Sequence, residues 1–258
     1  SPLNSLLSIF QDRKLRFAAV IAVLLTVVVL IAGLYFWWSS SKEEEKEGQP
    51  DVQVESPKIP ETKPRVEPLS QAKYFANQPN ILSFDTETVT ADQIKNTLLQ
   101  VGQAIKKDNL PGAVEFLVRD QKLNPLAFSR FAYLAKLNIP AELLGTLDEA
   151  FSLYVVIDET RPRLVLLSYI KDQPAFTVEL QRNEKNLAQA IDSLFLDVTT
   201  APKGNLTFRD GTYLERPVRF TNVDASIGLS VDYAVRGRQW IIGTSRSSLR
   251  AVLDKTGL

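Results

Sequence analysis

Three residue types are missing from the 258-residue sequence: cysteine, histidine and methionine. Without cysteine there is no disulfide and no thiolate metal site, so the chain is indifferent to the redox state around it. Without histidine the commonest general base and the commonest metal ligand are gone. An excess of charge is missing too, since 30 basic and 30 acidic residues give a formal net charge of zero. A nucleic-acid binder shows a basic patch or a basic domain. Residues 1–38 hold three basic residues against one acidic, residues 39–80 six against eight, and residues 81–258 therefore balance. No nucleic-acid partner is expected. G-x-G-x-x-G, P-loop, G-x-S-x-G and EF-hand spacings are all absent, so neither cofactor nor metal is expected.

What is present is one long uncharged run, Phe17 to Trp38 (FAAVIAVLLTVVVLIAGLYFWW). As a helix rising about 1.5 Å per residue it reaches roughly 33 Å, enough for a hydrocarbon core of about 30 Å. A helix satisfies its own backbone groups, which lipid cannot do. Tyr35, Phe36, Trp37 and Trp38 close the run with rings suited to the headgroup interface. A cleaved leader would have roughly 7–15 apolar residues and a small-x-small cleavage site. This run is longer and ends in bulky rings, so it is expected to stay as a single-pass anchor. Arg13, Lys14 and Arg16 precede it, opposed only by Asp12, and Lys42–Glu47 (KEEEKE) follows. Positive charge stays on the cytoplasmic side. The expected topology is a cytoplasmic tail (1–16), a transmembrane helix (17–38) and an outer C-terminal part in the cell membrane. Leu3, Leu6, Leu7 and Phe10 give the tail a mildly amphipathic character.

Residues 39–80 carry prolines at 50, 57, 60, 64, 68 and 79 among Lys and Glu. Proline removes backbone donors and charge favours solvation, so a disordered linker is expected here. Its 42 residues span about 35 Å as a coil and up to about 130 Å as polyproline.

Residues 81–258 are long enough for one domain with a substantial core. Residues 81–89 read as extended, with Asp85 and Glu87 alternating with Phe84. Thr90 and Gln93 form a capping box before a helix with its stripe at Ile94, Leu98, Val101 and Ile105. Asn109–Gly112 reads as a turn and Ala113–Val118 as a strand. Asn124–Pro125 reads as a helix start, with Phe128, Phe131, Leu134 and Leu137 inward. Pro140 opens a short turn of helix that ends at Gly145. Phe151–Ile157 and Arg163–Ile170 form a hairpin with a five-residue loop. In Asp172–Leu196, FTVEL has strand character, yet Phe176, Leu180, Leu187, Ile191 and Leu194 keep a helical period broken at Asn183–Glu184. A helix, kinked or in two pieces, is the preferred reading. Leu206–Arg209, Arg216–Asn222, Gly228–Val235 and Gln239–Thr244 read as strands. Ser245 caps a last helix with Leu249, Val252 and Leu253 inward. The fold class expected is α+β, with a largely antiparallel sheet and several helices.

Nucleophilic catalysis then has few routes left. Ser-x-x-Lys occurs at Ser39–Lys42 and Ser70–Lys73, and Lys255-Thr256-Gly257 also occurs. These motifs resemble those of the penicillin-recognising serine enzymes, but both Ser-x-x-Lys sites fall in the linker and no Ser-Asp-Asn lies between. Asp148–Glu149 and Asp158–Glu159 are neighbouring acids, the second pair in a hairpin loop where solvated charge is ordinary. Asn205-Leu206-Thr207 matches a glycosylation sequon, a weak pattern. Trp240 is expected in the core. No catalytic residue is assigned.

The layout of tail, anchor, Pro-rich linker and outer domain, with the closing stretch Val231–Asp254 (VDYAVRGRQWIIGTSRSSLRAVLD), resembles uncharacterised single-pass bacterial envelope proteins. It is also similar to inner-membrane alignment proteins of type IV pili, although a Pro-rich linker stands where those carry a coiled coil. Neither resemblance implies a site residue. The function expected is a non-enzymatic, membrane-anchored domain that binds an envelope protein or polymer. A lipid or small-ligand module, a pilus or secretion component, and a carboxylate-based envelope hydrolase are the rivals.

Overall fold

The computed structural model describes residues 73–196, 198 and 206–257. Eight strands are joined in one sheet: β1 (Asn80–Phe84), β2 (Ala113–Asp120), β3 (Leu147–Asp158), β4 (Arg161–Ile170), β5 (Arg209–Tyr213), β6 (Arg216–Asp224), β7 (Leu229–Arg236) and β8 (Gln239–Gly243). Their order is β1-β2-β3-β4-β8-β7-β6-β5. The pair β1–β2 is parallel and every other pair antiparallel. Helices α1 (Ala91–Lys107), α2 (Phe128–Leu134), α3 (Ala141–Leu144), α4 (Gln173–Asn183), α5 (Leu187–Ala190) and α6 (Arg246–Lys255) complete the described part. The fold is α+β with a mostly antiparallel sheet.

The parallel pair follows from α1, because two parallel neighbours need a crossover between them. Thr90 and Gln93 close the expected capping box at its start. Ile94, Leu98, Val101 and Ile105 are all buried along one stripe. Gly102 lies in the same stripe for a different reason. A β-carbon there would sit 2.4 Å from Pro162 Cβ at the start of β4. On an open helix face Ala would be better than Gly by about 1 kcal/mol. Here Gly102→Ala is expected to lower stability by about 1–3 kcal/mol through overpacking. Urea unfolding checks it, and a more stable variant would show that β4 moves aside freely.

The strands alternate their side chains between two unequal layers. On one face α1 to α5 bury Leu82, Phe116, Leu153, Leu166, Trp240 and Ile242, among others. On the other face α6 alone covers Tyr154, Val156, Val165, Leu167, Ala234 and Ile241, using Leu249, Val252 and Leu253. The broken helical pattern of 172–196 becomes α4, a 3-10 turn at Glu184–Asn186, α5 and a second 3-10 turn at Asp192–Leu194. Asp172 caps α4 through Ala175 N at 3.1 Å, and a proline occupies its first turn.

Several boundaries differ from the sequence reading. Residues 85–89 form a turn, not a strand. Asp85 accepts from Thr88 Oγ1 at 2.6 Å and from Glu87 N at 3.1 Å, which folds the backbone back on itself. Asn124 does not start a helix. It closes a turn onto Asp120, and Pro125 bridges to Arg119, so α2 begins at Phe128. The β3–β4 hairpin turns in two residues rather than five, since Asp158 pairs with Arg161 and Glu159 takes φ 54. β5 is 209–213 instead of 206–209. Gly211 lets it lie close against Val218 and Phe220, while Phe208 turns into the core. Packing also reaches back to Tyr74, which is buried against Phe116 at 5.2 Å between ring centres.

The membrane-topology residues Arg13, Lys14, Arg16, Phe17, Tyr35, Trp37 and Trp38 lie outside the described residues, as does most of 39–80. Among the described residues no helix is long and apolar enough to cross a membrane.

Candidate functional site

At one end of the sheet the chain makes a polar cleft of about 580 Å³. Its walls are the β3–β4 turn, the 3-10 turn Ala225–Ile227, the start of β7 and the N-terminus of α6. The local sequence explains the walls. Asp224 accepts from Ser226 N at 3.0 Å and Ser226 Oγ at 2.6 Å, which starts the 3-10 turn. Gly228 ends it at φ 64, a left-handed conformation that costs glycine little. Ser245 and Ser248 cap α6 reciprocally at 3.1 and 3.2 Å. Asp158, Glu159, Arg161, Asn222 and Ser247 form the rim.

Two charged groups are buried near this cleft. Arg163, 2% exposed on β4, donates through Nη2 to the Ile227 carbonyl. Asp232, 1% exposed on β7, accepts a hydrogen bond from Ser230. Arg246 Nε lies 4.0 Å from Asp232 Oδ1, with its guanidinium 4.6 Å from the centre of the Phe220 ring. Burial pushes Asp232 up to about 6, against the pull of Ser230, Arg246 and Arg250. The carboxyl therefore gains and loses a proton at mildly acidic pH, but Arg246 and α6 stand between it and solvent.

A second polar cluster lies on the opposite face, beside a groove of about 470 Å³ between α4 and β6–β7. Arg219 grips Glu184 with two parallel hydrogen bonds, Nε to Oε1 at 2.8 Å and Nη2 to Oε2 at 2.6 Å. Its Nη1 reaches Asp210 at 2.6 Å, and Tyr233 donates to Glu184 as well. Burial alone would raise Glu184, but the bonds from Arg219 and Tyr233 outweigh it and hold the carboxyl below its ordinary value. Glu184 and Asp210 in turn raise Arg219. Two-point guanidinium–carboxylate bonding is strong and directional. The cluster pins the end of α4 to the sheet.

The acids singled out in sequence are used locally. Glu149 accepts from Ser129 N at 2.9 Å and so stands in for a cap on α2, whose own N-cap is Ala127. Asp148 accepts from Ala150 N at 3.3 Å. Asp158 and Glu159 reach the cleft rim. Lys255 donates to the carbonyls of Ala76 and Ala113, both at 2.8 Å, and sits 5.8 Å from the centre of the Tyr154 ring. Its motif thus ties α6 to the start of the domain. Ser70 and Asn205 lie outside the described residues. Trp240 is in the core, 1% exposed, edge-on to Phe176 at 5.7 Å.

Sequence reading missed Asp232, Arg163 and Glu184. For Asp232 a signal existed, because Leu229–Val235 alternates and puts Ser230, Asp232 and Ala234 on one face. That this face is buried depends on α6 folding over it. Compared with known proteins, the chain matches no family model, no curated protein and no solved structure.

Proposed function

We propose that the chain is a non-enzymatic, single-pass membrane protein whose α+β domain stands outside the cell membrane and binds another component of the envelope, in scaffolding or assembly. The observation that carries this is the order of parts: a 22-residue uncharged run, a 42-residue Pro/Glu/Lys-rich stretch, and then a packed domain. Such a stretch spaces a domain from a bilayer. Within the domain, support comes from how the charged groups are spent. Glu149 caps a helix, Glu184 clamps Arg219, Asp224 shapes a turn and Lys255 ties the start of the domain to α6. The carboxylate-hydrolase reading has one point in its favour, the raised Asp232. That group is 1% exposed, which keeps it from a polymer substrate.

The test uses the full chain expressed in bacteria. It is expected to stay with membranes through an alkaline carbonate wash. Protease added to spheroplasts is expected to remove the outer domain. Release by carbonate, or a domain protected in intact spheroplasts, would overturn the tether.

A further inference from the structure

One row of side chains on the α6 face stays outside the helix's cover. It runs across strands β4, β8, β7 and β6 as Tyr169, Gln239, Arg236 and Arg216. Tyr169 pairs with Gln239, Gln239 with Arg236, and Arg216 with Tyr213 on the edge strand β5. The adjoining row, Leu167, Ile241 and Ala234, is buried under α6 at 3%, 0% and 2% exposure. By contrast Tyr169 is 43% exposed, Arg216 is exposed, and Arg236 and Gln239 are half-buried.

Two side chains of this row, Arg236 and Gln239, carry buried polar atoms that are unsatisfied. None of the three guanidinium nitrogens of Arg236 has a hydrogen-bond partner, nor has Gln239 Oε1. Arg216 adds its like charge to Arg236. Asp254 acts on Arg236 from α6, but its two oxygens accept from Tyr213 at 2.8 Å each. Among the described residues no carboxylate forms an ion pair with Arg216 or Arg236. Arg238, at the same sheet end, points at the carbonyls of Ile170 and Lys171. A guanidinium withdrawn from water without an acceptor is costly, and a neighbouring like charge adds to the cost.

Shape narrows the occupant. α6 rises about 10 Å from the same face and holds a flat bilayer away from the row. A single extended chain fits alongside it. Crossing the strands from Tyr169 to Tyr213 covers roughly 19 Å, the length of about six extended residues. The composition narrows it further. Tyrosine and arginine are the residue types that dominate protein-binding hot spots, and the exposed Tyr169 ring has no use for a purely hydrophilic phosphate polymer.

We propose that this ledge binds an extended acidic segment of an envelope protein, with carboxylates on Arg216 and Arg236 and an apolar side chain on Tyr169. The proposal rests on the tethered-binder reading and names the chemistry of its partner. The full chain is placed in nanodiscs of neutral phosphatidylcholine and titrated with a fluorescent peptide of about twelve residues, Glu with Leu at every third position, long enough to span the row. Binding is expected to weaken at least tenfold in the Arg216→Glu/Arg236→Glu double variant and severalfold in Tyr169→Ala. The double variant is expected to bind the corresponding Lys/Leu peptide instead. Circular dichroism confirms the fold of each variant. Equal binding of the Glu/Leu and Lys/Leu peptides by the wild type, equal binding by wild type and double variant, or equally tight binding of polyphosphate would overturn the ledge as an acidic-peptide site. Co-elution with lipid reads the tether separately. A chain that binds the peptide but leaves the nanodisc defeats the anchor and keeps the ledge.

Discussion

Titration of Asp232 is expected to lower the stability of the wild-type domain by about 2 kcal/mol between pH 4.5 and 7, and the Asp232→Asn variant is expected to lose that contribution. Burial raises this carboxyl to about 6 in the folded chain, whereas an unfolded aspartate titrates near its ordinary value of about 3.9. The folded state therefore holds the proton more tightly. Its contribution is fully present below the unfolded value and is lost as pH rises through the folded one. Over the whole window the loss is about 3 kcal/mol. The lowered acids Asp85, Asp120, Glu184 and Asp224 act in the opposite sense. Their stabilisation is lost as pH falls through the ordinary carboxylate range, and Asp192, also raised by burial, acts in the same sense as Asp232, so the share of Asp232 is read as the difference between the wild-type and Asp232→Asn curves. Urea unfolding of the full chain at several pH values reads the effect. Parallel stability curves for the wild type and Asp232→Asn would mean that the carboxyl keeps its water.

Why the sequence exposes some of these features and hides others is a matter of range. Local chemistry was legible. Thr90–Gln93 and Ser245 act as caps through hydrogen bonds three residues long, and the stripe of α1 and the last three strands follow from period alone. The break at Asn183–Glu184 was legible too, because the apolar spacing skips there. The loops at 85–89 and 120–125 were not. Each is decided by an aspartate that bonds backbone or side chains within four residues; at 85–89 alternation imitates a strand, and at 124–125 an Asn-Pro pair imitates a helix start. The long-range sites were out of reach altogether. Glu184 meets Arg219 across 35 residues and Arg163 meets Ile227 across 64, and periodicity carries no information about partners. The same limit hid the sheet order. The chain folds as β1–β4 and β5–β8, two runs of neighbours that meet at β4 and β8. Each run ends in a hairpin followed by a capped helix, α4 or α6. The sequences of these two units share no obvious repeat. α4 packs on one face and α6 on the other, so the two helices bury different residues.

Trp240 joins these two runs, and Trp240→Ala is expected to cost about 3–5 kcal/mol, the largest loss from any single truncation considered for this domain. The ring sits on β8, where it pairs with Ser168 of β4 and Val235 of β7. It points into the helix-covered face and meets Phe176 of α4 edge-on at 5.7 Å. Its removal would leave a cavity under α4 that the backbone ladder on either side cannot close. Its indole nitrogen has no hydrogen-bond partner, so the loss is one of packing and not of a polar contact. That gives the test its sharp form. Trp240→Phe keeps most of the ring volume and forfeits no bond, so it is expected to cost well under half of what Trp240→Ala costs. Chemical unfolding of the two variants side by side separates the cases. Equal losses would point to a bound water or a polar partner at the indole, and a small loss in both would mean that α4 collapses onto the sheet and fills the space.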